Sequence, residues 1–169
     1  MFKRILIPTD GSPHADRAIE LGCELAKRFD SHIVFLYVLM RSAKADDLAH
    51  MQGVDEDLKE RIRQSITLPV GSVMGAAVVT VIPPDVLADV GQLILGRAKE
   101  RATAAGIPGS ALKIKDGDPG KAIVETAAEE EADAIVMGRP GLGMLESLLQ
   151  GSTSERVSRL AECTCVTVH

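Results

Sequence analysis

Ala134-Ile135-Val136-Met137 runs straight into Gly138-Arg139-Pro140-Gly141 and, nine residues later, into Gly151-Ser152. The apolar run reads as a strand buried on both faces. The glycines at 138 and 141 let the backbone come close to a ligand, and Gly151-Ser152 sets bare N–H groups at the start of a helix. Helix N-termini carry unpaired donors and positive partial charge, a combination that suits a polyphosphate. A strand, a glycine loop and a helix in this order predict one unit of a parallel sheet with a nucleotide-binding rim.

The same alternation continues outward from this stretch. Ile5-Leu6-Ile7 is a short apolar strand ended by Pro8-Thr9-Asp10-Gly11. Ser12 is a good N-cap and Pro13 suits the first helical position. Ala15, Ala18, Ile19, Gly22, Leu25, Ala26 and Phe29 recur at three and four residues and predict one helical face. A second buried strand spans Ile33 to Leu39. The segment from Arg41 to Ile66 is polar, with helix expected around Asp55 to Arg63, and Leu68 to Ile82 is apolar and closed by Pro83-Pro84. Helices are expected over Asp85 to Ala105, Asp118 to about Glu131 and Ser152 to Ala161. Strands are expected over Ala111 to Lys115, Asp133 to Met137 and Thr164 to Val168. Five strands alternating with helices imply an α/β fold: a single domain over residues 1–169, a five-stranded parallel sheet with helices on both faces, Rossmann-like. In such sheets ligands bind beyond the carboxyl ends of the strands. The Asp10 loop, the end of the second strand and the Gly138 loop all lie there.

Composition narrows the class of ligand. A formal net charge of -5 with no dense basic run excludes a nucleic-acid footprint. Aromatic residues at 2% leave no stacking platform for single strands, so a bound purine would rest on aliphatic side chains and backbone. Met1-Phe2-Lys3-Arg4 leads into the first strand without a signal-peptide pattern, and the apolar run near Val70 to Ile82 is too short and broken to span a bilayer. The expectation is a cytoplasmic protein with no membrane partner. Three cysteines do not make a disulfide framework.

The glycine spacing Gly138, Gly141, Gly151, Ser152, together with Ile5-Leu6-Ile7-Pro8-Thr9-Asp10-Gly11-Ser12, resembles the universal stress protein family in its ATP-binding branch. The resemblance covers nearly the whole chain in element order. It implies a fold of the adenine nucleotide alpha hydrolase-like kind and a homodimer formed through the last strand, here Cys163 to Val168. It implies ATP as ligand, or ADP or AMP, with Mg²⁺ held mainly by the phosphates. Asp10 would bond the adenosine, with Pro8 and Thr9 beside it. Val38 or Leu39 would touch adenine through the backbone. Met137, Gly138 and Arg139 would lie near the ribose, and Gly141, Gly151, Ser152 and Thr153 would hold the phosphates. The implied role is stress-response regulation, not enzymatic, with slow hydrolysis at most, since no general base is marked. The chain departs from the family pattern at Pro140, which removes an N–H donor, and at Thr153, where Asn is common. It also departs in a longer, apolar insertion at about 41–84.

Simpler readings stand beside these. Ser152-Thr153-Ser154-Glu155 is also a capping box, and Asp10 is also an ordinary turn aspartate. Asp118-Pro119-Gly120-Lys121 is not a P-loop, because Lys115 and Ala122 stand where that motif needs Gly and Ser or Thr. Cys163 and Cys165 share a strand face and read as small buried apolar residues. The four histidines have no zinc spacing. Glu129-Glu130-Glu131 reads as a solvated helix end. The apolar stretch Val70 to Ile82 must be buried by the core, by a lid contact or by a protein partner. A pure interaction protein using that stretch is the alternative to a nucleotide-binding one.

Overall fold

The computed structural model describes residues 1–39, 54–64, 66–70, 77–138 and 153–169, with 66–70 and 77–81 described by their backbone alone. The elements are β1 (Arg4–Pro8), α1 (Pro13–Phe29), β2 (His32–Leu39), α2 (Glu56–Arg63), β3 (Ile66–Val70), β4 (Ala77–Val81), α3 (Pro84–Ala104), β5 (Ala111–Asp116), α4 (Pro119–Glu129), β6 (Ala134–Gly138), α5 (Thr153–Leu160) and β7 (Thr164–Val168). The main sheet has five strands in the order β5-β2-β1-β6-β7, and every pairing in it is parallel. The expected five-strand parallel fold is present, with boundaries within a residue or two.

The pleat explains how this sheet is covered on both sides. Ile5, Ile7, Ile33, Phe35, Tyr37 and Val136 point to one face and pack with α1, α2 and α3. Leu6, Val34, Leu36, Val38, Ile135 and Met137 point to the other and pack with Ala122, Ile123 and Ala127 of α4 and Val157 of α5. Because both faces are apolar, the central strands read as continuous hydrophobic runs rather than alternating ones.

Caps and side-chain ties set the ends of the elements. Ser12 caps α1 by accepting the Ala15 N–H at 3.2 Å, and Pro13 takes the first helical position. Asp118 caps α4 through the Lys121 N–H at 2.8 Å, and Asp55 caps α2 through Leu58. At the amino ends of the strands, one Asp133 carboxylate oxygen accepts the N–H groups of Lys3 and Arg4 at 2.7 and 2.9 Å. That residue fastens β1 to the start of β6, and these bonds hold its carboxyl below the usual aspartate range.

Four expectations are corrected. Residues 66–70 and 77–81 form a separate two-stranded antiparallel sheet, pairing Ile66 with Val81 and Val70 with Ala77. The apolar stretch thus contributes to a second sheet, which the single five-stranded sheet expected from the sequence did not include. The rotation of α1 buries Cys23 and leaves Phe29 36% exposed, edge-on to Phe2. The acidic end of α4 is not simply solvated: Glu129 pairs with Lys115 and Glu130 with Lys113, both on the neighbouring strand β5. The Lys113 bond lowers the Glu130 carboxyl below its ordinary value. Cys163 and Cys165 are half-buried rather than buried, and partial burial pushes both thiols up.

Candidate functional site at the strand ends

Strand order reverses between β1 and β6. β1 continues through β2 to β5 on one side, and β6 leads to β7 on the other. The chain leaves β1 for α1 on one face and resumes after β6 in α5 on the opposite face. A crevice opens at such a reversal, outside the carboxyl ends of the strands. Pro8, Thr9, Asp10, Val38, Leu39, Met137 and Gly138 all sit at this rim, so these seven expected residues share one edge of the sheet. Thr153 is the first residue of α5. Arg139, Gly141, Gly151 and Ser152, with Pro140 and residues 41–53, 65 and 71–76 of the insertion, lie outside the described residues.

The loop after β1 is a closely bonded turn. The Thr9 N–H donates to the Leu36 carbonyl at 2.9 Å, which carries the parallel pairing one residue past β1. The Ser12 N–H donates to Asp10 Oδ1 at 2.9 Å, an Asx turn, and Gly11 adopts φ 77°, a conformation open to glycine. Asp10 is thus a turn aspartate, as the simpler reading had it. Its carboxylate is also exposed at the rim. The two readings are compatible, because a carboxylate can accept several hydrogen bonds.

Gly138 is the tightest point of the rim. A Cβ on it would stand 2.5 Å from the His14 carbonyl carbon, 2.6 Å from its oxygen and 2.8 Å from the Ala15 nitrogen. All three are backbone atoms of the first turn of α1. The glycine is therefore needed for space, letting the end of β6 lie directly against the start of α1. Donors in that turn are mostly engaged: Pro13 has none, Ala15 N–H goes to the Ser12 side chain and Asp16 N–H to the Ser12 carbonyl at 2.9 Å. Val38 and Met137 are 7% and 3% exposed and packed beneath α4 and α5. Their side chains are committed to the core, so their backbones are what they can offer a ligand.

Two residues near the rim escaped the sequence reading. Tyr37 is fully buried, with its hydroxyl unpartnered. Gly91 of α3 makes room for its ring, since a Cβ there would come within 2.6 Å of it. A lone tyrosine inside an apolar strand run looks like core, and nothing local marks a helical glycine as the floor of a ring. A cleft between α1 and α3, lined by Thr9, Gly11, Asp16, Ile19, Ile94, Arg97 and Ala98, opens under the same loop.

Known proteins share both the sequence pattern and this architecture. The universal stress protein family matches residues 1–169. A universal stress protein of Methanocaldococcus jannaschii is 30% identical over 168 residues, covering 99% of this chain and 82% of the relative. One from Thermus aquaticus is 30% identical over 168 residues and 99% of both chains. Among solved structures, universal stress protein UspA from Lactobacillus plantarum superposes with a TM-score of 0.67 at 22% identity, over 99% of this chain and 98% of that one. A universal stress protein in complex with cAMP gives 0.63 at 21% identity, over 99% and 97%. The Archaeoglobus fulgidus protein in complex with dAMP gives 0.61 at 16%, over 100% and 98%. At those identities the likeness to the solved structures is one of fold, while the match along the full sequence carries the kinship: the chain belongs to the universal stress protein family.

Proposed function

We propose that this protein binds ATP, or another adenine nucleotide, at the β1/β6 rim and acts as a homodimeric regulator of the stress response. The observation that carries this reading is the contact of Gly138 with the first turn of α1, beside the exposed carboxylate of Asp10, at the point where strand order reverses. Support comes from the relatives whose structures hold cAMP and dAMP. In this reading Asp10 bonds the adenosine, with Pro8 and Thr9 beside it. The Val38 or Leu39 backbone meets adenine, and Met137, Gly138 and Arg139 flank the ribose. Gly141, Gly151, Ser152 and Thr153 hold the phosphates, which in turn hold Mg²⁺. The protein works in the cytoplasm as one domain with an inserted segment at about 41–84. It turns ATP over slowly or not at all.

The edges of the sheet favour dimerisation through β7. Edge strand β5 carries Lys113 and Lys115, both in ion pairs, whereas Thr164–Val168 on the opposite edge has no charged side chain. Charge on an edge discourages strand addition, and its absence permits it.

Calorimetry with Mg-ATP on protein freed of carried-over nucleotide tests the reading, with Gly141→Val and Cys165→Ser beside it. Micromolar affinity, about 8 kcal/mol, that is lost in Gly141→Val and kept in Cys165→Ser is the expected result. Equal affinity in all three moves the site elsewhere. No heat in any of them favours a second reading, in which the segment about 70–82 docks a protein partner. The separate sheet formed by β3 and β4 is what speaks for that alternative.

A further inference from the structure

Tyr37 occupies a position that the packing of the core does not explain. It stands two residues before the end of β2, and the pleat sends it to the α1/α3 face beside Phe35. Its ring fills the space left by Gly91. A phenylalanine would fill that space equally well, yet the chain places a hydroxyl there with no hydrogen-bond partner. Among the described residues Ser110 Oγ is the other buried side-chain atom in this condition, and it precedes β5 at the amino end of the sheet, away from the rim. A buried hydroxyl without a partner destabilises a fold relative to its apolar isostere. Such a group points to a partner that arrives from outside.

The surroundings say what kind of partner fits. The bond from the Thr9 N–H to the Leu36 carbonyl fastens the β1–α1 loop to β2 next to Tyr37, and Thr9 is itself buried there. The next residue is Asp10. Burial, with a smaller contribution from the negative charge of Asp10, pushes the phenol up to about 12, so the hydroxyl keeps its proton at neutral pH. A neutral phenol beside a carboxylate suits sugar hydroxyls and ring nitrogens. A phosphate would be repelled by the same carboxylate.

We infer that the Tyr37 hydroxyl is a specificity-determining contact for the nucleoside half of the ligand bound at the β1/β2 end of the rim. This rests on the nucleotide-binding reading above. Ligand binding supplies the hydrogen bond that the free protein lacks.

Tyr37 is the one tyrosine of the chain and there is no tryptophan, so protein isotope-labelled at tyrosine Cζ gives a single phenol resonance. That resonance is followed on addition of adenosine, AMP and ATP, and calorimetry compares wild type with Tyr37→Phe. The expected result is a Cζ shift in wild type with each ligand. Tyr37→Phe should melt no lower than wild type without ligand and bind all three more weakly, by the same factor of about two to ten. Wild-type binding with an unmoved resonance and equal affinity in Tyr37→Phe overturns the inference while leaving the nucleotide reading intact. Weakening confined to ATP assigns the contact to the phosphates and overturns it too. A drop in the ligand-free melting point with unchanged affinity assigns the hydroxyl to a structural water, with the same consequence. Wild type that binds none of the three removes the nucleotide reading, and this inference with it.

Discussion

Gly138→Ala probes the contact on which the site depends. The new methyl would meet three backbone atoms of His14 and Ala15 at 2.5 to 2.8 Å, where ordinary contact begins at 3.4 Å. Neither rotamer change nor side-chain motion relieves this, because the obstacle is main chain. Either β6 or the first turn of α1 must retreat by about 1 Å in a close-packed region. Overpacking of this kind costs about 1–3 kcal/mol, and a backbone obstacle puts the expected loss near 2–3 kcal/mol. At about 2–4 °C per kcal/mol for a chain of this size, the melting point falls by about 4–12 °C. The measurement is urea unfolding followed by circular dichroism, with the m-value checked for constancy. Gly96→Ala is the control: it sits in α3 with nothing within 4 Å of the added carbon. It should gain about 0.5–1 kcal/mol from helix propensity. A loss under about 0.5 kcal/mol in Gly138→Ala would refute the spatial argument.

Two further outcomes follow from the same geometry. Gly91→Ala presses a methyl against the Tyr37 ring, at 2.6 and 2.9 Å from two ring carbons, and against Ile114; it should lower stability by about 1–3 kcal/mol and alter the tyrosine spectrum, and an unaltered spectrum would mean the ring is not held there. Asp133 has its carboxyl lowered in the fold by the N–H bonds of Arg4 and Lys3, so its contribution is present above the unfolded aspartate range and is lost as pH falls through the lower folded value. Asp133→Asn should therefore flatten the acid limb of a stability-against-pH curve, and a limb of unchanged slope would count against that role.

Much of this architecture was legible because the central strands are short apolar runs and α1, α2 and α4 start at capping residues. Ser12-Pro13 and Asp118-Pro119 begin α1 and α4 where expected, since the cap bonds are local. The hairpin of β3 and β4 was not legible. Pro69 interrupts the first run and is tolerated only because both strands of a two-stranded ribbon are edges. The partners of Glu129 and Glu130 come from β5, the strand just before α4, and meet them only because the helix folds back along that strand. At the rim, the expected residues follow from strand ends, and strand ends follow from the apolar runs. Gly138 was read as a close approach to a ligand, and its approach to α1 was not legible, since α1 reaches it only through the fold. Tyr37 escaped because an orphaned hydroxyl is a property of the packed interior, not of any residue pattern.

The contrast between the two sheet edges has a consequence for how large an assembly can grow. A strand that adds to β7 of one copy brings its own sheet, whose far edge is again the lysine-bearing β5. Like edges joined about a two-fold axis use up both open strands at once and leave two guarded ones. In the proposed dimer growth would therefore stop at a pair, because the repeating head-to-tail stacking that an open sheet otherwise invites would have no open main-sheet edge from which to continue.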